Sequence, residues 1–361
     1  MHQKQSYQLP EWDSFQSMVN GIWEREYYTN QGPLAVQLET ELQQFMQVKH
    51  VVCMTNSSIA LMIALLACNA NGNTAVPSLS HVNIAQSVIW AGGHPVYCDV
   101  EAKRPVIDLA NLEKSPAGIS VIVAVNAFGH ACEIEALETL ARQNNIKLVF
   151  ISDSVFGQVY NGKCFGGFGD MEIFSFDQSQ LVNAGDGACV ATNNDELAAR
   201  LRNIRSSYGA GRPVPIPYTG NGRMSEIQAG LALLSLKEVQ HKIELNKRKA
   251  AELSKGLSAA GIEVNSLCGK CTGHNYTGIL LRFGVHQQEL RHSIIRKLNA
   301  IGMVYENLDF YGLDAQAYNK PIGLPHVRAF RQNTVYLPTA QNISTAQFGQ
   351  LAQAAYEMAN K

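Results

Sequence analysis

Charge is what this chain has least of. Lys, Arg, Asp and Glu make up 16% of its 361 residues, against about 25% in an ordinary globular protein. The 29 Lys and Arg nearly cancel the 30 Asp and Glu, leaving a formal charge of −1, and no basic run breaks the balance. That excludes a nucleic-acid partner held through bulk positive charge. Long apolar runs are missing too: none approaches the roughly 20 residues of a membrane span, so no membrane partner is expected. The stretch from Met1 to Asp13 lacks the apolar core of a signal peptide. Apolar residues, by contrast, reach 46%, and a soluble chain so poor in charge is expected to hide part of its surface in an interface. Eight cysteines, among them Cys53, Cys68, Cys98 and Cys189, sit among apolar neighbours and read as buried thiols in a reducing compartment. The expected class is a cytoplasmic, globular α/β protein of about two domains.

Up to about residue 240, short apolar runs alternate with longer mixed segments, the rhythm of a parallel sheet with crossover helices. Strands are expected at 50–54, 74–77, 95–99, 119–125, 148–151, 172–176 and 188–192. Helices are expected between them at 38–46, 57–68, 134–143 and 196–204. Unbroken apolar strands such as 121–125 require cover on both faces. A long helix is expected over 225–259, Lys-rich after Lys237. Beyond it, strands at 277–283, 303–305 and 334–337 with helices at 287–301 and 345–358 form a smaller α+β unit. The division is therefore 1–240 and 241–361. The loop 208–218, with Pro213, Pro215 and Pro217, is the most irregular stretch, of the kind that serves a site or an interface.

Several loops that follow expected strands carry polar residues, where open parallel sheets place ligands. Thr55, Asn56, Ser57 and Ser58 precede an apolar helix; they suit either an anion at a helix N-terminus or an ordinary N-cap. Asp153 follows the strand 148–151 as a functional carboxylate or a cap. His81 is either a stacking ring or a loop histidine.

In order along the chain these residues form one pattern. It runs through Tyr28-Thr29-Asn30-Gln31-Gly32-Pro33, Asn56-Ser57-Ser58-Ile59-Ala60-Leu61, 77–83 and Pro95-Val96-Tyr97-Cys98-Asp99. It continues through 166–176, Asn183-Ala184-Gly185-Asp186-Gly187-Ala188, 220–226 and Tyr336-Leu337-Pro338. The chain resembles, over essentially its whole length, the DegT/DnrJ/StrS sugar-nucleotide aminotransferases, vitamin-B6 enzymes of fold type I. The resemblance implies a mostly parallel, mixed seven-stranded sheet with helices on both faces, plus a smaller C-terminal α+β domain. It implies a cofactor, pyridoxal or pyridoxamine 5′-phosphate, and a substrate, a nucleotide-linked sugar. By the same resemblance Asp153 pairs with the pyridine nitrogen, keeping the ring an electron sink. His81 stacks on the ring, Ser57, Ser58 and Ser175 hold the phosphate, and Asn221 reaches that phosphate from the other subunit of an obligate homodimer.

At one stretch the pattern departs. Family members read Phe-Ser-Phe-His, two variable residues, and the lysine that forms the Schiff base. Here the run is Phe174-Ser175-Phe176-Asp177-Gln178-Ser179-Gln180, so Gln180 holds the lysine position. Between Lys114 and Lys237 the only lysines are Lys147 and Lys163, neither in register. Phe156 stands where the family has His or Gln near the ring oxygen, and Asp177 replaces a histidine. An amide offers neither a nucleophilic amine nor a usable pKa, and loss of a general base costs roughly 10²–10⁴ in rate. The first of three readings that the resemblance leaves is an enzyme on a nucleotide-linked keto or amino sugar that holds its B6 cofactor non-covalently, with His81, Asp177 or a partner-donated residue such as Arg223 expected to move protons. The alternative is an inert homologue that binds a sugar nucleotide or B6 ligand, or partners an active paralogue; a third reading is another reaction in a pocket without B6. Cys268-Gly269-Lys270-Cys271 with His274 is a lone Cys pair and reads as a surface turn, so no metal is expected. Tyr305-Glu306-Asn307 stands where many members carry His-Tyr-Pro near the substrate.

Overall fold

Thirteen strands are seen in the computed structural model, which describes residues 9–113, 118–259, 261–264, 270–303, 305, 306, 308, 324–339 and 344–359. In chain order they are β1 (His50–Met54), β2 (Asn73–Pro77), β3 (His94–Cys98), β4 (Ile119–Val125), β5 (Lys147–Ile151), β6 (Val159–Tyr160) and β7 (Lys163–Cys164). There follow β8 (Met171–Ser175), β9 (Ala188–Thr192), β10 (Glu263–Val264), β11 (Cys271–Thr272), β12 (Gly278–Arg282) and β13 (Thr334–Pro338). The main sheet has seven strands in the order β1-β9-β8-β5-β4-β2-β3. Only β9 runs against its neighbours, pairing antiparallel with both β1 and β8; the other pairings are parallel.

Alternation along each strand feeds two cores, because successive side chains point to opposite faces. Phe150 and Phe174 join Leu38, Cys53 and Ile122 on one face. Val149, Ile151 and Ile173 join Val52 and Val123 on the other, under the helix Ser57–Ala67. That helix buries Ala60, Leu61, Ile63, Ala64 and Leu65, so its cover on the sheet is as continuous as the sequence requires. A third core lies around the antiparallel sheet β10-β12-β13 and includes Leu253, Leu257, Leu281, Leu337, Phe348 and Leu351.

Four sequence expectations are corrected. The long helix 225–259 is two helices, Glu226–Lys237 and Val239–Ala259; the chain turns at Glu238, whose N–H bonds to Ser235 O at 3.1 Å, a tighter turn than an α-helix makes. The strand at 303–305 is represented by a single bridge between Glu306 and Tyr336, with residue 304 outside the described residues. The helix expected from residue 38 begins at Pro33, in the first-turn position that a missing N–H suits. The helices Trp12–Glu24, Val82–Trp90 and Pro325–Asn333 were not among the expected elements. Cys268 and Asn307 lie outside the described residues. Cys271 is buried on β11, and among the described residues no three His, Cys, Asp or Glu groups gather as metal ligands. No helix among the described residues is long and apolar enough to cross a membrane.

Candidate active site

The carboxyl ends of the parallel strands open onto a cavity of about 640 Å³, the place where open α/β sheets put ligands. After β1, Asn56 caps the helix Ser57–Ala67 by accepting from Ile59 N at 2.9 Å. The cap is therefore Asn56, which leaves Ser57 in the cavity wall with no partner for its hydroxyl among the described residues. An eleven-residue helix beginning at an open hydroxyl offers an anion both a donor and the positive end of the helix dipole. After β2, His81 stands exposed at the rim and its Nδ1 accepts from Asn83 N at 3.3 Å. Ser58 lies behind this wall, where its Oγ accepts from Asn83 Nδ2 at 3.2 Å.

β5 and β8 supply the floor. Asp153 is half-buried in the lining, and its Oδ1 accepts the Ser175 N–H at 2.5 Å. Burial pushes its carboxyl up to about 7, with neighbouring Asp177 adding to the rise against the pull of that N–H. No cation meets it within the described residues of the cavity wall, since that wall contains neither Lys nor Arg. A carboxylate placed where its charge costs free energy suits a cationic ligand atom.

Ser175 ends β8, and the turn after it carries Asp177 and Gln180 into the same cavity. Asp177 Oδ1 accepts from Ser179 N at 2.7 Å and Ser179 Oγ at 2.6 Å. Its Oδ2 accepts from Ser175 Oγ at 3.0 Å and from Gln180 Nε2 at 3.4 Å. Opposite, Thr277, Tyr305, Glu306, Tyr336 and Pro338 close the cavity from the C-terminal part of the chain. Tyr336 lies edge-on to Phe128, ring centres 4.8 Å apart. Its hydroxyl is pushed well above the usual range, mostly by burial and then by Glu306.

The structure thus brings Ser57, His81, Asp153, Ser175, Asp177 and Gln180 to one cavity. Phe156 is elsewhere: it is buried in the core, stacked on Phe45 at 5.1 Å and edge-on to Phe174 at 5.5 Å. Asn221 is exposed outside the cavity of its own protomer, and its Oδ1 accepts from Arg223 Nε at 3.0 Å. Sequence reasoning missed Glu172, a fully buried carboxylate under the floor. Asn126, in the cavity wall, donates to Ser152 Oγ at 2.9 Å, and Ser152 donates to Glu172 Oε1 at 2.7 Å. Gly166 N and Phe168 N donate to Glu172 Oε2, yet burial still carries its pKa up to about 7. A lone Glu within the apolar strand 171–175 was the available signal.

Comparison with known proteins covers most of the chain. A family model described as "DegT/DnrJ/EryC1/StrS aminotransferase family" matches residues 11–355. GDP-perosamine synthase of Caulobacter vibrioides is 29% identical over 279 residues, 75% of each chain. The dTDP-4-amino-4,6-dideoxy-D-glucose transaminase of Escherichia coli is 26% identical over 332 residues, 87% of this chain and 88% of the relative. Among solved structures, DesI in the presence of its TDP-sugar product superposes with a TM-score of 0.90 at 22% identity, over 99% of this chain and 92% of DesI. The sugar aminotransferase homologue Spr1654 of Streptococcus pneumoniae, in its PMP form, superposes with a TM-score of 0.82 at 19% identity, over 98% and 99% of the two chains. These superpositions share the fold: seven mixed strands, flanking helices and a C-terminal α+β part.

Proposed function

The chain belongs to the DegT/DnrJ/EryC1/StrS aminotransferase family, and on that premise we propose a B6-site enzyme that acts on a nucleotide-linked sugar and holds pyridoxal or pyridoxamine phosphate without a covalent bond. The observation that carries this is the cavity itself: among the described residues of its wall Asp153 has no Lys or Arg beside it and Ser57 has an open hydroxyl at a helix start, and Gln180 stands in place of lysine. The substrate class is supported by the names of the two relatives above, a GDP-perosamine synthase and a dTDP-4-amino-4,6-dideoxy-D-glucose transaminase.

When bound, the cofactor supplies an electron sink for the carbon bearing the amine. The chain supplies the rest. Asp153 accepts a hydrogen bond from a protonated ring nitrogen, a pairing that relieves the cost of its burial. Ser57 and the start of the helix Ser57–Ala67 take the phosphate. His81 stands at the rim for stacking and, with Asp177, is placed to move a proton. Gln180 positions: its amide donates to Asp177 and Ser179 and offers no nucleophile. The working unit is a cytoplasmic homodimer in which Asn221 of a second copy reaches the phosphate. The exposed Trp12, Trp23, Tyr28, Trp90 and Tyr218 support such a contact.

Absorbance titration with each cofactor form, followed by borohydride reduction and mass spectrometry, tests this. Saturable binding without an adduct is the expected result. A covalent adduct would mean that another lysine has taken the role, and absence of binding would remove B6 altogether.

A further inference from the structure

This inference rests on the B6 reading and concerns which form of the cofactor the site accepts. Asp153, Asp177 and Glu306 all line the cavity, and the described lining has no Lys or Arg to offset them. Asp177 is close enough to Asp153 and to Tyr336 to push both of their pKa values upward. Its carboxylate is also fixed, by Ser175 Oγ on one oxygen and by the Ser179 N–H and hydroxyl on the other. A lysine at position 180 would bring a positive charge to this carboxylate. Gln180 reaches it at 3.4 Å and brings none.

We propose that Asp177 is the counter-ion for the primary ammonium of pyridoxamine phosphate, so that the site selects the aminated cofactor over the aldehyde. The two carboxylates then answer the two cationic ends of one ligand: Asp153 the ring nitrogen, Asp177 the ammonium. The aldehyde form presents only an acceptor oxygen, which has no proton to give a carboxylate. A charge-assisted hydrogen bond is the stronger kind, and its loss in a half-buried cavity is large enough to set a preference.

The test is a binding comparison on the full chain, with pyridoxamine phosphate, pyridoxal phosphate and 4-deoxypyridoxine 5′-phosphate, which carries a methyl group where pyridoxamine phosphate carries its aminomethyl group. Pyridoxamine phosphate should bind about tenfold or more tighter than either of the others. Asp177→Asn should weaken pyridoxamine phosphate by about tenfold while leaving the other two unchanged. Asp177→Glu, which keeps the charge, should keep the order of preference. A structural role for Asp177 would move all three ligands together, and that result overturns the assignment. If Asp177→Asn fails to fold, the wild-type series decides: equal affinity for the three ligands overturns the proposal but leaves a B6 site standing. Failure of every ligand to bind overturns the B6 reading with it.

Discussion

Asp153 and Asp177 are joined through one residue: the Ser175 N–H donates to Asp153 Oδ1 at 2.5 Å, and the Ser175 hydroxyl donates to Asp177 Oδ2 at 3.0 Å. The last residue of β8 therefore sets the spacing of the two carboxylates, one through its backbone and one through its side chain. Ser175→Ala should spare the first contact and remove the second. The expected result is B6 binding weakened by about fivefold, the worth of one hydrogen bond, read by the same titration.

Gln180→Lys returns an amine to a turn whose carboxylate, Asp177, lies within reach. The variant should form a borohydride-reducible adduct with pyridoxal phosphate at a stoichiometry near one per chain, where the wild type forms none. Peptide mass spectrometry would place it, and an adduct on any residue other than 180 would contradict the assignment of that position.

Asp153 gives a pH signature in the cofactor-free protein. Burial lifts its carboxyl from 3.8 to about 7, so its folded pKa exceeds the unfolded one. Its contribution to stability is full below pH 3.8 and is lost as pH rises through about 7. Asp153→Asn lacks this loss. The variant should gain melting temperature over wild type progressively as pH rises from 3.8 to about 7, then hold a constant lead, as followed by circular dichroism. Glu172, raised by burial from 4.5 to about 7, remains in both proteins and cancels in the difference.

Gly278 makes room for a cavity residue. A Cβ at this position would lie inside the van der Waals surface of the Tyr336 ring and hydroxyl, on the neighbouring strand β13. Gly278→Ala should cost about 1–3 kcal/mol by overpacking and displace Tyr336 from the cavity wall. Urea unfolding of the single variants and of the Gly278→Ala, Tyr336→Ala double variant would show the coupling: Gly278→Ala should cost little in the Tyr336→Ala background, where the ring it would strike is gone.

The main sheet was legible because both of its faces are covered, which leaves runs such as Ile122-Val123-Ala124 with no polar interruption. Two-residue strands such as β6, β7 and β11 have no period to read. The helix Pro325–Asn333 starts against a partner that is distant in the chain: Asp99, buried, accepts from Val327 N at 3.0 Å and His326 N at 3.2 Å, and no local pattern announces a cap supplied from 227 or 228 residues away. The site divides in the same way. Ser57, His81 and Asp153, which line the cavity, could be picked out because they follow strands whose ends could be located. Tyr336 reaches the cavity from a strand of another sheet and Glu306 from a segment bridged to it, and their approach depends on packing that spacing alone does not encode. Phe156 shows the converse, since a residue beside Asp153 in sequence turns into the core against Phe45.

The helix Val239–Ala259 belongs to two cores at once: Val239 and Ile243 pack with the main sheet, while Ala250, Leu253 and Leu257 pack with the C-terminal one. It works as a caliper. The jaws of the cavity, Asp153 on one side and Tyr336 on the other, lie on the main sheet's side and on strand β13, whose cores this one rod spans. One residue inserted between Ile243 and Ala250 would advance the far end by 1.5 Å and turn it by about 100°, swinging Leu253 off its seat and resetting the gap without altering any residue that lines it.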